Sequence, residues 1–239
     1  MLRREISIVI PVYNEQENLK PLITELHKVL QGIQEASEII FVDDGSRDRS
    51  FALLKEAASR DPRIRVIRFR KNAGQTAAFD AGFKAAQGTI IVTMDADLQN
   101  DPHDIPRLLE KIGRFDVVCG WRHKRNDPWM RIISSKIANF VRNKLSEEEI
   151  VDTGCSLKAF RRECVQHMKL FNGMHRFFPT LAKMEGFTVT QVKVNHRPRK
   201  FGTTKYNVTN RMVRAFVDLL AVRWMKKRRL NYEIAETTR

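Results

Sequence analysis

The stretch of sequence that decides the fold is Thr89-Ile90-Ile91-Val92-Thr93-Met94-Asp95-Ala96-Asp97-Leu98-Gln99-Asn100-Asp101-Pro102. Its first half is apolar and β-branched, which predicts a strand buried on both faces of a sheet. Two carboxylates, on Asp95 and Asp97, follow at the end of that strand. In open α/β sheets ligands bind beyond the carboxyl ends of the strands, where carboxylate oxygens can hold a divalent cation against phosphates. The alternative is that the two aspartates cap a helix that begins near residue 103.

The same alternation of strand and helix continues on both sides of this stretch. Buried strands are also predicted at residues 5–12, 38–42, 64–69 and 115–119, with helices between them, including one at 102–112. Another strand is predicted within 151–162, and a last one at 187–194. This order predicts an α/β fold, a Rossmann-like and mostly parallel sheet with right-handed crossovers and helices on both faces.

Three of the predicted strands end in acid or amide side chains. They are followed by Tyr13-Asn14-Glu15, Asp43-Asp44 and Asp95-Ala96-Asp97. Because parallel strands end at the same edge of a sheet, these side chains are expected to form one site. No strand is followed by a glycine-rich dinucleotide fingerprint or a P-loop, so the sequence disfavours those two cofactor classes.

Size and cysteine content limit the class of protein. The chain has 239 residues, 42% of them hydrophobic, which is enough for one large domain with a full core. Its three cysteines form no C-x-x-C pair, so we expect neither a disulfide framework nor a zinc knuckle, and a reducing cytosol fits best. The first residues contain no signal-peptide core, and no export is expected.

The charge predicts an anionic partner. The formal net charge is +15, and the excess of Lys and Arg lies mainly in residues 121–145 and 197–230. Nucleic acid, a phosphorylated substrate and acidic lipid all fit that charge. No helix-turn-helix, RNP or zinc pattern is present, so a nucleic-acid-binding module is disfavoured.

Two basic amphipathic helices are predicted in the second half, at residues 129–145 and 208–227. Each could pack its apolar stripe on the sheet or lie in a lipid headgroup layer. The second helix ends in Lys226-Lys227-Arg228-Arg229, a cluster that fits anionic lipid or ordinary helix C-terminal electrostatics. No run is long enough to span a bilayer.

Two polar segments in the second half have open interpretations. Asp152 stands alone in a neutral turn, where it needs no role beyond an Asx turn. The basic loop at 196–206, which contains Arg199 and Lys205, could fold over a polyanion or remain solvated.

The motifs at these positions resemble family 2 glycosyltransferases, which have the GT-A fold. The matching pieces are Pro11-Val12-Tyr13-Asn14-Glu15, Val42-Asp43-Asp44-Gly45-Ser46, Asn72-Ala73-Gly74 and Asp95-Ala96-Asp97-Leu98-Gln99. Residues 97–102, 152–162 and 201–206 are similar to the polyprenyl-phosphate glycosyltransferases, which include dolichol-phosphate mannosyltransferases and undecaprenyl-phosphate formamidoarabinose transferases. The likeness covers nearly all of residues 5–225.

The resemblance implies a UDP- or GDP-sugar donor, a divalent cation and a phosphate acceptor. Residues implied to contact the donor are Pro11, Tyr13, Glu15, Asp43, Asp95, Ala96, Asp97, Arg199 and Lys205. Oxygen ligands implied for Mg²⁺ or Mn²⁺ are Asp95, Asp97 and Gln99. Residues implied to hold the acceptor phosphate are Arg122, Arg131 and Ser135. Asp97, Arg131 and Asp152 are the implied catalytic residues.

The implied reaction is an inverting transfer of a sugar to undecaprenyl or dolichyl phosphate. A phosphomonoester has a second pKa near ~6, so its oxygen can attack without a general base. Asp152 then orients Arg131 or the sugar hydroxyls instead of acting as the base. A family 2 enzyme that acts on a sugar hydroxyl in polysaccharide or lipopolysaccharide assembly is the alternative.

The resemblance also implies how the chain is organised. We expect a GT-A catalytic domain at 1–206, with a donor half at 1–120 and an acceptor half at 121–206, then a basic amphipathic helix at 207–230 and a disordered tail at 231–239. Many relatives continue into transmembrane helices. Here we expect a cytoplasmic protein that contacts the inner face of the membrane through its amphipathic helices or through a membrane-embedded partner protein.

Overall fold

The computed structural model describes residues 5–123, 150–166, 168–199, 201, 208–230 and 232–237, except for the side chains of residues 5 and 208–215. Its centre is a sheet of seven strands: β1 (Glu5–Val12), β2 (Ala36–Asp43), β3 (Ile64–Arg68), β4 (Ile90–Thr93), β5 (Val117–Arg122), β6 (Lys158–Arg161) and β7 (Val189–Val194). The order in space is β3-β2-β1-β4-β6-β5-β7. Only β6 runs antiparallel to its neighbours, so the predicted mostly parallel sheet is confirmed.

The helices occupy the predicted intervals. They are α1 (Gln16–Gln31), α2 (Ser50–Arg60), α3 (Gln75–Ala85), α4 (Ile105–Leu109), α5 (Arg162–Gln166), α6 (Phe178–Met184) and α7 (Val208–Lys227). The helix predicted at 102–112 is shorter than expected, with a 3₁₀ turn at Pro102–Asp104 before the five residues of α4. Pro106 lacks the amide hydrogen that would bond to the Pro102 carbonyl in an α-helix begun at residue 102, so regular α-helix starts only at Ile105.

Hydrophobic side chains form a core on each face of the sheet. Ile8 of β1 packs with α1, α2 and α4 on one face, whereas Val9, its neighbour in sequence, packs with α3, α5, α6 and α7 on the other. This alternation follows from the two-residue period of a strand. Both faces of the sheet are therefore covered by helices, as the sequence predicts.

The C-terminal helix α7 buries one side and exposes the other. Leu219 and Val222 are buried in the core on the face of the sheet that also holds α3, α5 and α6. The outer face of α7 consists of exposed apolar side chains: Phe216, Val217, Leu220 and Trp224. The basic run at 226–229 follows directly. The helix predicted at 129–145 lies outside the described residues.

No helix in the described part of the chain combines the length and the hydropathy that a bilayer-spanning segment requires.

The three cysteines are buried free thiols. Burial raises the pKa of Cys119 to about 12 and that of Cys155 to about 11, which makes them poor nucleophiles.

Candidate active site

The three polar strand ends meet at one edge of the sheet. β2, β1 and β4 are adjacent and parallel, so the residues that follow them lie side by side. Their side chains do not cap the helices that follow β1 and β2: the N-cap positions of α1 and α2 are held by Glu15 and Arg49, and neither side chain makes a capping bond. The turn at 102–104 is capped by Asp101, which accepts from the His103 amide at 3.0 Å. The helix-cap interpretation of Asp95 and Asp97 is therefore wrong.

The acidic loop after β4 is held by its own polar contacts. Asp95 Oδ1 accepts from Gln75 Nε2 at 2.7 Å, and the Asp95 amide donates to Asn100 Oδ1 at 3.1 Å. Asp97 Oδ1 accepts from the Gln99 amide at 3.1 Å. Leu98, between Asp97 and Gln99, has a φ of 62°, a left-handed conformation that is costly for a leucine. The buried Leu98 side chain anchors this strained turn in the core.

The electrostatics of the loop suit a divalent cation. Burial, together with the negative charge of Asp97, raises the pKa of Asp95 to about 6. Burial also raises the pKa of Asp97, although the Gln99 amide and the Arg199 charge oppose that shift. A cation between the carboxylates would relieve the cost of their shared charge. Asp95, Asp97 and Gln99 lie on one loop and offer the oxygen ligands that Mg²⁺ and Mn²⁺ prefer, so the residues fit such an ion.

A second cluster of acidic and histidine side chains is already bridged by an arginine side chain. Ligand atoms of Glu25, Asp101 and His103 lie within 4.8 Å of one another. The Arg197 guanidinium bridges this group, with Nη1 at 2.6 Å from Glu25 and Nη2 at 2.7 Å from Asp101. This network anchors the segment after β7 beside the acidic loop, where the Arg197 amide also donates to the Gln99 carbonyl at 3.0 Å. The network thereby positions Arg199.

Arg199 makes direct contact with the acidic pair. Its Nη2 nitrogen donates to Asp97 Oδ2 at 2.7 Å. Arg199, which the resemblance implies at the donor diphosphate, therefore lies beside the acidic loop, with a carboxylate as its partner. Lys205, predicted to act with Arg199, lies outside the described residues.

The carboxyl ends of β1 and β2 border a cleft of about 510 Å³, lined in part by Tyr13, Arg68 and Lys71. Asp43 is fully buried nearby, and its Oδ1 accepts from the Ser46 amide at 3.2 Å. Within the described residues its Oδ2 has no hydrogen-bond partner, and Arg68 Nε lies 3.5 Å away. A buried acceptor of this kind suits a nucleoside donor group.

Pro11 and Glu15 lie at the same edge of the sheet. Pro11 pairs with Val42 near the end of β1 and is partly exposed. Glu15 accepts from Asn18 Nδ2 at 2.6 Å, and it is close enough to Asp97 to favour a higher pKa for that carboxyl. Ala96 is buried between the two aspartates. The predicted donor residues in the described part of the chain therefore share one edge of the sheet.

Asp44 has a structural role that the sequence pattern did not reveal. It accepts from the amides of Ala73 and Gly74 at 2.6 and 2.9 Å, and from Asn72 Nδ2 at 2.8 Å. Gly45 has a φ of 71°, and a Cβ there would lie 2.6 Å from the Lys71 carbonyl carbon. Asp44 therefore ties the end of β2 to the loop before α3, which explains the Asn72-Ala73-Gly74 motif.

On the other side of β4, Arg122 and Asp152 form a buried ion pair. Arg122 Nε and Nη2 donate to the two Asp152 oxygens at 2.7 and 2.8 Å. Burial opposes the charge of Arg122, but its bonds to Asp152 outweigh that effect and raise its pKa. The resemblance implies that Asp152 orients Arg131 or the sugar hydroxyls, and Arg131 lies outside the described residues. Within them Asp152 pairs with Arg122, because the turn before β6 packs against the end of β5.

Several contributors were missed by sequence reasoning. Gln75 and Asn100 hold Asp95, and Ser156 Oγ donates to Asn100 Oδ1 at 2.7 Å, which links the segment before β6 to the acidic loop. In the sequence, only their positions beside the motifs could have indicated that they contribute to the site. Arg131 and Ser135, predicted to hold the acceptor phosphate, lie outside the described residues.

Comparisons with known sequences identify the family. Residues 7–168 match the model of glycosyl transferase family 2. The chain is 35% identical over 224 residues to a dodecaprenyl-phosphate galacturonate synthase of Rhizobium johnstonii, covering 91% of this chain and 66% of that protein. It is 40% identical over 220 residues to an undecaprenyl-phosphate 4-deoxy-4-formamido-L-arabinose transferase of Pectobacterium atrosepticum, covering 91% and 67%. The chain thus spans about two thirds of the length of these relatives.

Solved structures agree on the fold. Glucosyl-3-phosphoglycerate synthase from Mycobacterium tuberculosis, in complex with Mn²⁺, UDP and phosphoglyceric acid, superposes with a TM-score of 0.70 at 18% identity, covering 95% of this chain and 80% of that one. The complex with Mg²⁺ and UDP gives 0.68 at 16% identity, covering 93% and 79%. The expected GT-A fold is confirmed. On its sequence match and its fold, this chain belongs to glycosyl transferase family 2.

Proposed function

We propose that this protein transfers a sugar from a nucleotide diphosphate sugar to a polyprenyl phosphate, and that the acceptor attacks without a general base. The observation that carries this proposal is the Arg122–Asp152 pair, in which both Asp152 oxygens accept from the guanidinium. A carboxylate held in this way is poorly suited to take a proton from a sugar hydroxyl. It suits an acceptor that is already ionised.

In the proposed step, a phosphate oxygen of the acceptor forms a bond to the anomeric carbon of the sugar. The bond from that carbon to the donor diphosphate breaks, and the nucleoside diphosphate leaves from the opposite face. One displacement of this kind inverts the anomeric configuration. No proton is transferred, because the acceptor enters as an anion.

Residues on both sides of β4 have the charges that this step needs. Asp95, Asp97 and Gln99 would hold Mg²⁺ or Mn²⁺, which supplies charge neutralisation at the leaving diphosphate. Arg199 would donate to the diphosphate, since it already reaches Asp97. Arg122 Nη1 has no hydrogen-bond partner within the described ranges, so it would donate to the acceptor phosphate while Nε and Nη2 hold Asp152.

Membrane contact is part of the proposal, because a polyprenyl phosphate resides in a bilayer. The outer face of α7 is apolar, and its four side chains are 45–64% exposed. Basic residues near an anionic surface contribute about 1 kcal/mol each, so the run at 226–229 favours acidic headgroups. We infer peripheral association with the cytoplasmic face of the membrane.

The relatives support the acceptor and donor classes. Those at 35–40% identity are named for sugar transfer to dodecaprenyl or undecaprenyl phosphate. The solved neighbours were crystallised with UDP and Mn²⁺ or Mg²⁺.

The test is a transfer assay on the whole chain. Purified protein is incubated with UDP- and GDP-sugars and Mn²⁺, with either a short-chain polyprenyl phosphate or a free oligosaccharide as acceptor. The proposal expects product on the polyprenyl phosphate and none after addition of EDTA. Transfer to the oligosaccharide alone would support the hydroxyl-acceptor alternative and overturn the proposal.

A further inference from the structure

A buried lysine lies under the proposed acceptor side of the site. Lys158 is 2% exposed and stands on β6, opposite Thr93 of β4 and Cys119 of β5. These two strands lead to Asp95 and Arg122, respectively. The ammonium of Lys158 is therefore enclosed between the strand that carries the acidic loop and the strand that carries the ion pair.

The partners of Lys158 are backbone carbonyls. Its Nζ donates to the Cys155 carbonyl and, at 3.4 Å, to the Thr153 carbonyl. Within the described residues it makes no salt bridge to a carboxylate, although its positive charge acts to lower the pKa of the buried Asp95. An enclosed ammonium without a direct counter-ion is costly, whereas a methionine of similar volume would fill the same space without that cost. Packing alone does not account for a lysine at this position.

The two carbonyls belong to the turn that covers the ion pair. Gly154 lies between them in sequence, and a Cβ on Gly154 would be 3.1 Å from Arg122 Nη2 and 3.5 Å from Asp152 Oδ1. The turn at 152–155 is thus held by Lys158 on one side and lies against the Arg122 guanidinium on the other. A shift of this turn would change the position of Arg122.

We propose that Lys158 is a positioning residue for the acceptor phosphate: it fixes the turn at 152–155 over Arg122 and so sets the direction in which that guanidinium meets the phosphate. This inference rests on the proposed function, in which Arg122 binds the acceptor. In this role Lys158 itself does not contact the substrate. A disturbance of the turn at 152–155 should then act on acceptor use and spare donor binding.

The experiment compares Lys158→Met, Lys158→Arg and Gly154→Ala with the wild type, and uses Lys111→Met, an exposed lysine on another segment, as the control. Steady-state transfer to a short-chain polyprenyl phosphate gives KM for donor and acceptor separately, and calorimetry gives the Kd of UDP with Mn²⁺. We expect Lys158→Met and Gly154→Ala to raise the acceptor KM about tenfold. Gly154→Ala, which keeps the Lys158 charge near Asp95, should change the donor KM and the UDP Kd by less than about threefold. Lys158→Arg should recover part of the loss.

A double-mutant cycle separates positioning from a general structural role. Lys158→Met is repeated in the background R122Q/D152N, in which both charges of the pair are removed together. If Lys158 acts through Arg122, its effect on the acceptor KM disappears in that background. Gly154→Ala retains Lys158, so it tests the turn even if Lys158→Met folds poorly.

The outcomes distinguish the two proposals. If R122Q/D152N leaves the acceptor KM unchanged, the acceptor role of Arg122 fails, and the inference about Lys158 fails with it. If R122Q/D152N raises the acceptor KM but Lys158→Met and Gly154→Ala do not, or if the effect of Lys158→Met is undiminished in that background, only the inference about Lys158 is overturned.

Discussion

Arg199 donates from Nη2 to Oδ2 of Asp97 across 2.7 Å, although the two residues are 102 positions apart in the chain. The contact joins the segment after β7 to the acidic loop after β4. An arginine that reaches a carboxylate of a proposed cation site is also within reach of the diphosphate that the cation would hold. We expect Arg199 to exchange Asp97 for the diphosphate when donor binds.

Replacement of Arg199 by alanine should weaken donor binding. Loss of a charge-assisted hydrogen bond costs about 1.5–3 kcal/mol, which corresponds to roughly a 10- to 100-fold rise in the Kd of UDP with Mn²⁺. Isothermal titration calorimetry measures that Kd. The matched control is Arg107→Ala, which removes an exposed arginine paired with Asp104. An unchanged Kd in Arg199→Ala would show that Arg199 has no role at the diphosphate.

Asp97→Asn should abolish the cation-dependent part of donor binding. Asparagine retains the shape of the side chain but removes the negative charge that a divalent ion requires. The measurement is the rise in melting temperature on adding UDP with and without Mn²⁺. Asp80→Asn, which changes an aspartate paired with Lys84 on α3, is the control and should behave as the wild type. Persistence of the Mn²⁺ effect in Asp97→Asn contradicts the assignment.

Asp152→Asn should reduce both stability and transfer. Breaking a buried ion pair by removing one partner typically costs about 3–5 kcal/mol, because Arg122 is left without its counter-ion. Urea unfolding measures this loss. The folded fraction should still bind UDP with Mn²⁺ but transfer sugar poorly to polyprenyl phosphate. Normal transfer by this variant would exclude a role for the pair in acceptor binding.

A stability contribution that depends on pH is expected from Asp116, away from the site. Its carboxylate accepts from the Thr188 amide and hydroxyl at 2.7 and 2.6 Å and from Arg161 at 2.9 Å. The Thr188 hydroxyl, then the Thr188 amide and Arg161, hold its pKa below the ordinary 3.8, against the effect of burial. Its contribution is therefore fully present above pH 3.8 and is lost as pH falls through the lower folded-state value.

The variant that tests this is Asp116→Asn. At pH 7 it should lower the free energy of unfolding by about 1–2 kcal/mol, and the difference from the wild type should shrink in acid. Urea unfolding at pH 7 and at pH 3 gives both values. A difference that is the same at the two pH values would contradict the linkage.

The outer face of α7 should bind anionic bilayers. Trp224→Ser combined with Phe216→Ser removes two exposed apolar side chains, 64% and 53% accessible, without touching the buried Leu219 and Val222. Sedimentation with vesicles that contain acidic phospholipid should fall at least about tenfold, since each aromatic contributes on the order of 1.5–3 kcal/mol when it leaves water. Neutral vesicles are the control. Equal sedimentation of variant and wild type would remove α7 from the membrane contact.

The sequence by itself determined the alternation of strands and helices, the buried strand that ends at Asp95, and the edge at which Tyr13, Asp43 and Asp97 gather. These are local properties, because hydrophobic periodicity and strand direction are set by neighbours in the chain. The same pattern could not decide whether the acidic residues cap helices, and only the observed caps settled that question.

The tertiary structure alone decided the partners of the charged residues. Arg122 and Asp152 are 30 positions apart, and Arg199 and Asp97 are 102 apart, so no local periodicity relates them. Their pairing depends on β6 running antiparallel between β4 and β5, and on the Arg197 network that anchors the segment after β7. In the sequence, Asp152 is a carboxylate in a neutral turn and Lys158 is a lysine in a strand, and neither position indicates a role. Their roles depend on the Arg122 guanidinium and the backbone carbonyls that the folded chain buries beside them.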